Sequence, residues 1–135
     1  MKKIIGRSEN VILPELFNIE VKSKIDTGAF SNALHVDGIE KVESGVKVWV
    51  DTPDNNFIFN KYRKIQVKNS FGQKQTRWAV LTRIKLGTKT YKCYICLTKR
   101  NKMKYPMLIG RKFLYKFGYI VDVTKKNIYD TNKTV

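Results

Sequence analysis

Apolar and polar residues alternate along much of the chain with a period of two. In Ile19-Glu20-Val21-Lys22-Ser23-Lys24-Ile25, the apolar Ile19, Val21 and Ile25 share one side and Glu20, Lys22 and Lys24 the other, which predicts a half-buried β-strand. Residues 45–51 repeat the pattern with Val46, Val48 and Val50. Shorter apolar runs at Val11-Ile12-Leu13, Phe57-Ile58-Phe59, 64–68, Trp78-Ala79-Val80-Leu81 and Ile84-Lys85-Leu86 predict further strands. Residues 52–56 read as a loop, Asn69-Ser70-Phe71-Gly72-Gln73 as a turn, and Gly87-Thr88 as a hairpin turn into a strand over 90–98. One helix stands out, Arg111 to Phe117, closed by Gly118 at the position that favours glycine. Strand patterning returns over 119–123, and Asn127-Ile128-Tyr129 predicts one more short strand. Many short strands, separated by turn residues, imply an all-β barrel or sandwich with one short C-terminal helix. No repeat or linker interrupts the 135 residues, so one domain is expected over 1–135.

Composition narrows the class. Hydrophobic residues at 42% and aromatics at 12% supply a real core and argue against wholesale disorder. No run approaches the ~20 apolar residues of a membrane-spanning helix. Met1-Lys2-Lys3-Ile4-Ile5-Gly6-Arg7 starts like a basic leader, but its apolar part ends after Ile5, so no signal peptide is expected. The net charge of +16 is one-sided. Residues 1–60 hold 7 Lys+Arg and 9 Asp+Glu, a net of −2, whereas 61–135 hold 20 Lys+Arg and only Asp122 and Asp130, a net of +18. Such asymmetry attracts polyanions: nucleic acid, an anionic membrane surface or an acidic protein tail. Because 21 of the 27 basic residues are Lys, the same numbers also fit a solvated surface.

The cysteines, Cys93 and Cys96, form a lone Cys-x-x-Cys inside the strand predicted over 90–98. Three residues apart on a strand, they point to opposite faces, ~10 Å apart, which is too far for a disulfide. With His35 the only histidine, no four-ligand zinc site assembles. Both cysteines read as reduced, space-filling residues, consistent with a cytoplasmic location. His35, in the strand-like Ala33-Leu34-His35-Val36, reads as a hydrogen-bonded structural residue.

Chemistry concentrates at Asp26-Thr27-Gly28-Ala29, where the strand ending at Ile25 gives way to a turn. Gly28 permits a tight turn, and Thr27 can fix its hydroxyl on nearby backbone. Such a turn offers a carboxylate held by backbone donors, suited to acid–base work. About eighty residues on, Leu108-Ile109-Gly110-Arg111 joins an apolar pair to a helix start. The pairing of these two segments resembles the retropepsin-like aspartic proteases. Val21 to Ala29 with Ala33-Leu34-His35, then Val67-Lys68-Asn69-Ser70-Phe71-Gly72 and Arg77, then Leu97 to Arg111, in that order, resemble a bacterial retropepsin-like family often labelled "ATP-dependent zinc protease". Ile5-Gly6-Arg7 before Leu13-Pro14-Glu15-Leu16 also fits. The chain departs from that pattern at Phe30, where a basic residue is usual, and at Asn32, where a small hydroxyl residue is usual.

The resemblance implies an acid-protease barrel with Asp26 catalytic. Thr27, Gly28 and Ala29 would form the active-site turn and dimer lock, and Leu108, Ile109, Gly110 and Arg111 would support it from behind. Lys68, Asn69, Ser70, Phe71, Gly72 and Arg77 would belong to a flap over the substrate, with residues 52–56 as the alternative hairpin. Arg111 is expected to tie a loop to the turn. Despite the family label, the chain has neither a Gly-x-x-x-x-Gly-Lys-Ser/Thr loop nor His-Glu-x-x-His, so neither ATP nor a metal is expected as a cofactor. Aspartic proteases use two carboxylates sharing one proton, and this chain has a single Asp-Thr-Gly. A homodimer pairing two Asp26 residues is therefore expected. The resemblance also implies acidic substrates, including glutamate tails made by ATP-grasp ligases, for which Arg63, Lys64, Lys68, Lys74 and Arg77 would form a basic rim. The competing readings are a non-catalytic basic β-barrel that binds nucleic acid through residues such as Tyr62, Phe71 and Tyr105, and a degenerate protease fold serving as a scaffold.

Overall fold

The computed structural model describes residues 3–68, 71–99 and 104–129. In chain order the strands are β1 (Lys3–Ile5), β2 (Ser8–Leu13), β3 (Ile19–Ile25), β4 (Asn32–Val36), β5 (Gly38–Val42), β6 (Gly45–Trp49), β7 (Asn56–Phe59), β8 (Tyr62–Lys68), β9 (Lys74–Leu86), β10 (Lys89–Lys99), β11 (Met107–Ile109) and β12 (Tyr119–Val121). The helix α1 (Arg111–Phe117) lies between β11 and β12. The expectation of an all-β barrel with one short helix therefore holds.

The main sheet runs β10-β4-β11-β3-β2-β9-β8, and pairing of β9 with β10 closes it into a barrel. Closure encloses one core and leaves β8 as an outer strand paired to β9. Val11, Val21, Ile25, Leu34, Val36, Ile84, Ile95, Met107 and Ile109 fill it. The alternation in β3 is realised as read: Val21, Ser23 and Ile25 are buried, while Glu20, Lys22 and Lys24 are exposed. Val46, Val48 and Phe59 of a separate sheet, ordered β5-β6-β7, join the same cluster.

β11 gives the fold its functional geometry. It is inserted between β3 and β4, parallel to the first and antiparallel to the second. The chain leaving β3 and returning as β4 thus straddles a third strand, and the Asp26–Ala29 turn sits over that strand's C-terminal end. Directly beyond it, α1 packs Phe113 and Leu114 inward. Tyr91 anchors the helix, with ring centroids 5.3 Å from Phe113 and 4.3 Å from Phe117. Gly118 ends the helix at φ 73°, donating its N–H to the last helical carbonyls.

The strand expected over 127–129 does not form. Asn127 adopts φ 53° and donates its N–H to Ser8 O (2.9 Å). Tyr129 donates its N–H to Glu9 Oε1 (3.0 Å), and Gly6 N–H donates to Glu9 Oε2 (2.8 Å). A fully buried carboxylate takes the place of a ladder partner here.

Candidate active site

Main-chain hydrogen bonds fix the Asp26 turn from two sides. Asp26 N–H donates to Ile109 O (2.9 Å) and Ile25 N–H to Arg7 O (3.0 Å). Ala29 N–H closes the turn on Asp26 O (3.1 Å). The Asp26 carboxylate accepts Gly28 N–H at Oδ1 (3.0 Å), so a backbone donor orients it as expected. A Cβ at Gly28 would come within 3.2 Å of that same Oδ1. Asp26 is half-buried, and Thr27 and Gly28 are exposed on the surface of the turn.

The second segment arrives where the sequence places it. Arg111 N–H donates to Ala29 O (2.8 Å) and Lys112 N–H to Phe30 O (3.1 Å). Arg111 Nη1 donates to Gly28 O (3.1 Å). Its guanidinium also lies 5.3 Å from the Phe30 ring centre. Phe30 thus gives Arg111 a ring face at a position where the usual basic residue would have repelled it.

The residue the sequence reading missed is Asn32. It is buried, its Oδ1 accepts Gly110 N–H (3.0 Å), and its Nδ2 donates to Tyr94 O (3.4 Å). One amide joins the start of α1, the start of β4 and the middle of β10. The available signal was the departure at position 32 itself, an amide where a hydroxyl is usual, because an amide accepts and donates through two separate atoms and so spans a wider gap than one hydroxyl oxygen.

The other named residues lie on the β8–β9 hairpin. Asn69 and Ser70 fall outside the described residues. Lys68 and Lys74 pair at the hairpin's end, with Phe71 and Gly72 in the exposed tip, Gly72 at φ 79°. At its base, the hairpin brings Arg63 and Ile65 to the same cavity as Phe30, Ser31 and Asn32. Lys64 points to the opposite face, 5.9 Å from the Trp78 ring centre. Arg77 lies with His35 on a different cavity. Residues 52–56 belong to the separate β5-β6-β7 sheet, between β6 and β7. His35 shares a 2.7 Å hydrogen bond with Thr98 Oγ1.

Cys93 and Cys96 are free thiols bordering the cavity beside Phe30. Burial pushes Cys93 up to about 12, with Asn32 and Lys116 opposing the shift. Burial likewise raises Cys96, against the opposing charge and hydrogen bond of Arg77. Among the described residues, no cluster of three or more His, Cys, Asp or Glu side chains could hold a metal ion. No described helix is long and apolar enough to cross a membrane.

A strand–Asp-Thr-Gly–strand loop straddling a third strand, with Gly-Arg and a short helix behind it, defines the retropepsin-like class of folds. The chain belongs to the RimB-like family, described as retropepsin-like aspartic endopeptidases, whose family model matches residues 4–132. Among relatives, a probable alpha-L-glutamate ligase of Desulfotalea psychrophila is 30% identical over 82% of this chain, and one of Shewanella pealeana is 29% identical over 82%. This chain spans 26% of the length of each. A crystal structure of a Legionella pneumophila protein of unknown function superposes with a TM-score of 0.74 at 30% identity, covering 96% of this chain and 100% of that one.

Proposed function

We propose that the chain is one half of a homodimeric aspartic peptidase that cleaves acidic, glutamate-rich peptides. The observation that carries the reading is the Asp26 carboxylate, half-buried at a turn that hydrogen bonds to β11 and Arg111 hold in place. One carboxylate is half of the machinery. Two Asp26 side chains across a two-fold axis would share a proton because like charges that close do not both ionise. The ionised member takes a proton from a water, and the protonated one donates to the scissile carbonyl oxygen. The β8–β9 hairpin is the flap in this reading, since its base borders the turn-side cavity and residues 52–56 lie on another sheet. Thr27 and Gly28 would meet their counterparts at the two-fold axis.

The excess of 20 Lys+Arg over 2 acids after residue 60 supports an acidic substrate. So does the matching of this chain to a part of probable glutamate ligases, proteins whose name implies glutamate addition. The test compares wild type with Asp26→Asn on a glutamate-rich peptide, with sedimentation at the assay concentration. Cleavage that falls by ~10²-fold or more in the variant, together with a dimer, supports the proposal. Cleavage unaffected by Asp26→Asn, or full activity in a monomer, overturns it.

One observation favours a second reading. On the hairpin's outer face, Tyr62 and Trp78 pack edge to face at 5.6 Å, with Lys41 5.0 Å from the Tyr62 ring and Lys64 beside Trp78. Cations with rings suit bases and phosphates. Tight oligonucleotide binding with no cleavage by either protein would favour that reading.

A further inference from the structure

Next to the Asp26 turn, a cavity of about 410 Å³ opens between α1, β8 and β10. That volume falls within the ~300–1,000 Å³ of small-molecule sites. We propose that it is a carboxylate subsite, holding glutamate side chains of an acidic peptide that extends from the turn. The proposal rests on the peptidase reading only for the peptide's placement along the cleft.

Among the described residues, four cations from three elements meet at this cavity: Arg63 of β8, Lys92 of β10, and Lys112 and Lys116 of α1. None of the described residues that line it is acidic. Lys112 and Lys116 stand one helical turn apart, so their charges share one face. None of the four is paired with a carboxylate among the described residues. Gathering like charges around one concavity is unfavourable by itself, and an anion placed there relieves it.

The floor points to a carboxylate on an apolar stem. Arg63 lies 4.0 Å from the Tyr94 ring centre, and Lys116 lies 5.4 Å from that of Phe117. Stacking on a ring orients the guanidinium plane while its N–H donors remain available to a bidentate acceptor. Tyr94 and Phe117 both border the cavity and offer surface for methylene groups. A glutamate side chain has both features: two methylenes for the rings and a planar carboxylate for Arg63 and the lysines. A nucleic-acid strand would instead need bases to stack and a groove that tracks its backbone.

The test measures binding of labelled oligo-glutamate and oligo-glutamine peptides to the full chain carrying Asp26→Asn, so that no probe is consumed. The pocket variant adds Lys112→Gln and Lys116→Gln. A control adds Lys85→Gln and Lys89→Gln, which removes the same charge from exposed positions away from the cavity. Loss of two charge-assisted contacts predicts at least about tenfold weaker oligo-glutamate binding in the pocket variant and a shallower salt dependence. The control should change by less than about twofold, and oligo-glutamine should bind weakly throughout. Equal losses in the two variants, no loss in the pocket variant, or displacement of the peptide by an oligonucleotide that itself depends on Lys112 and Lys116, would overturn the assignment. Should wild type cleave no peptide, the peptidase reading fails while this binding comparison still decides the subsite.

Discussion

Gly110→Ala tests whether the Asp26 turn is held from behind as described. Gly110 has φ −90°, which alanine adopts without strain, so the penalty is purely one of space. A Cβ there would lie 2.7 Å from Ser31 O and 2.8 Å from Phe30 O. Even a close carbon–oxygen contact keeps ~3.3 Å, so roughly 0.5 Å must be found. Both obstacles are main chain, and no rotamer change provides it. The displaced residues follow the Asp26–Ala29 turn directly, so the carboxylate moves with them. Overpacking of this kind costs ~1–3 kcal/mol. Misplacement of a catalytic group by ~1 Å costs ~10²-fold in rate, so a half-ångström shift should cost about tenfold. The assay pairs urea unfolding with cleavage of an acidic peptide. Gly118→Ala is the control: its φ of 73° strains an alanine, yet no atom lies within 4 Å of the added Cβ. It should lose ~1–2 kcal/mol with activity intact. If Gly110→Ala unfolded within ~0.5 kcal/mol of wild type and kept full activity, the described support of the turn would be refuted.

Asn32→Ala should lose ~1–3 kcal/mol in urea unfolding, because Gly110 N–H would be left without its acceptor inside the protein. Wild-type stability in that variant would show that the amide link is dispensable. Glu9→Ala strips acceptors from both Gly6 and Tyr129 N–H groups and should cost ~2–5 kcal/mol. Faster hydrogen exchange at Gly6 and Tyr129 would locate that loss, and unchanged exchange would contradict it. Cys93 should resist iodoacetamide at neutral pH until the chain is unfolded, since burial pushes its thiol from 9.0 up to about 12. The folded state binds that proton more tightly than the unfolded chain. Cys93 therefore makes its full contribution below pH 9.0 and loses it as pH climbs toward about 12. The stability difference between wild type and Cys93→Ala should shrink across that window, and a pH-independent difference would refute the linkage.

Much of this arrangement was legible in the residues. The period-two run at 19–25 became β3 without a shift in its bounds, and Gly118 ended α1 as its position implied. Asp-Thr-Gly-Ala and Leu-Ile-Gly-Arg, about eighty residues apart, met because β11 pairs with β3 and β4 together. Other elements were silent for physical reasons. β1 is three residues long and exists through its parallel pairing with β12. β5 buries only Gly38 and leaves Glu40 and Lys41 exposed, so its pattern is weak, and antiparallel pairing with β6 sustains it. Residues 127–129 carry a strand-like composition that Glu9 overrides by capturing a backbone N–H. At the site, the proposed basic rim drew on β8 and β9 alone. Strand alternation turns Lys64 away from the cavity, and the fold brings in Lys92, Lys112 and Lys116, which no local pattern links to Asp26. The partner of Arg111 was equally non-local: a carbonyl in the turn and a ring beside it.

In the proposed dimer, two Asp26 carboxylates, one from each chain, would make a single catalytic centre. Mixing wild type with Asp26→Asn at fixed total concentration, after allowing subunits to exchange, tests that pairing. If both carboxylates are required, activity on the glutamate-rich peptide follows the square of the wild-type fraction, so an equal mixture retains about one quarter of the starting rate. Activity that falls in simple proportion, with about one half retained, would mean that each chain works alone and that no shared centre exists.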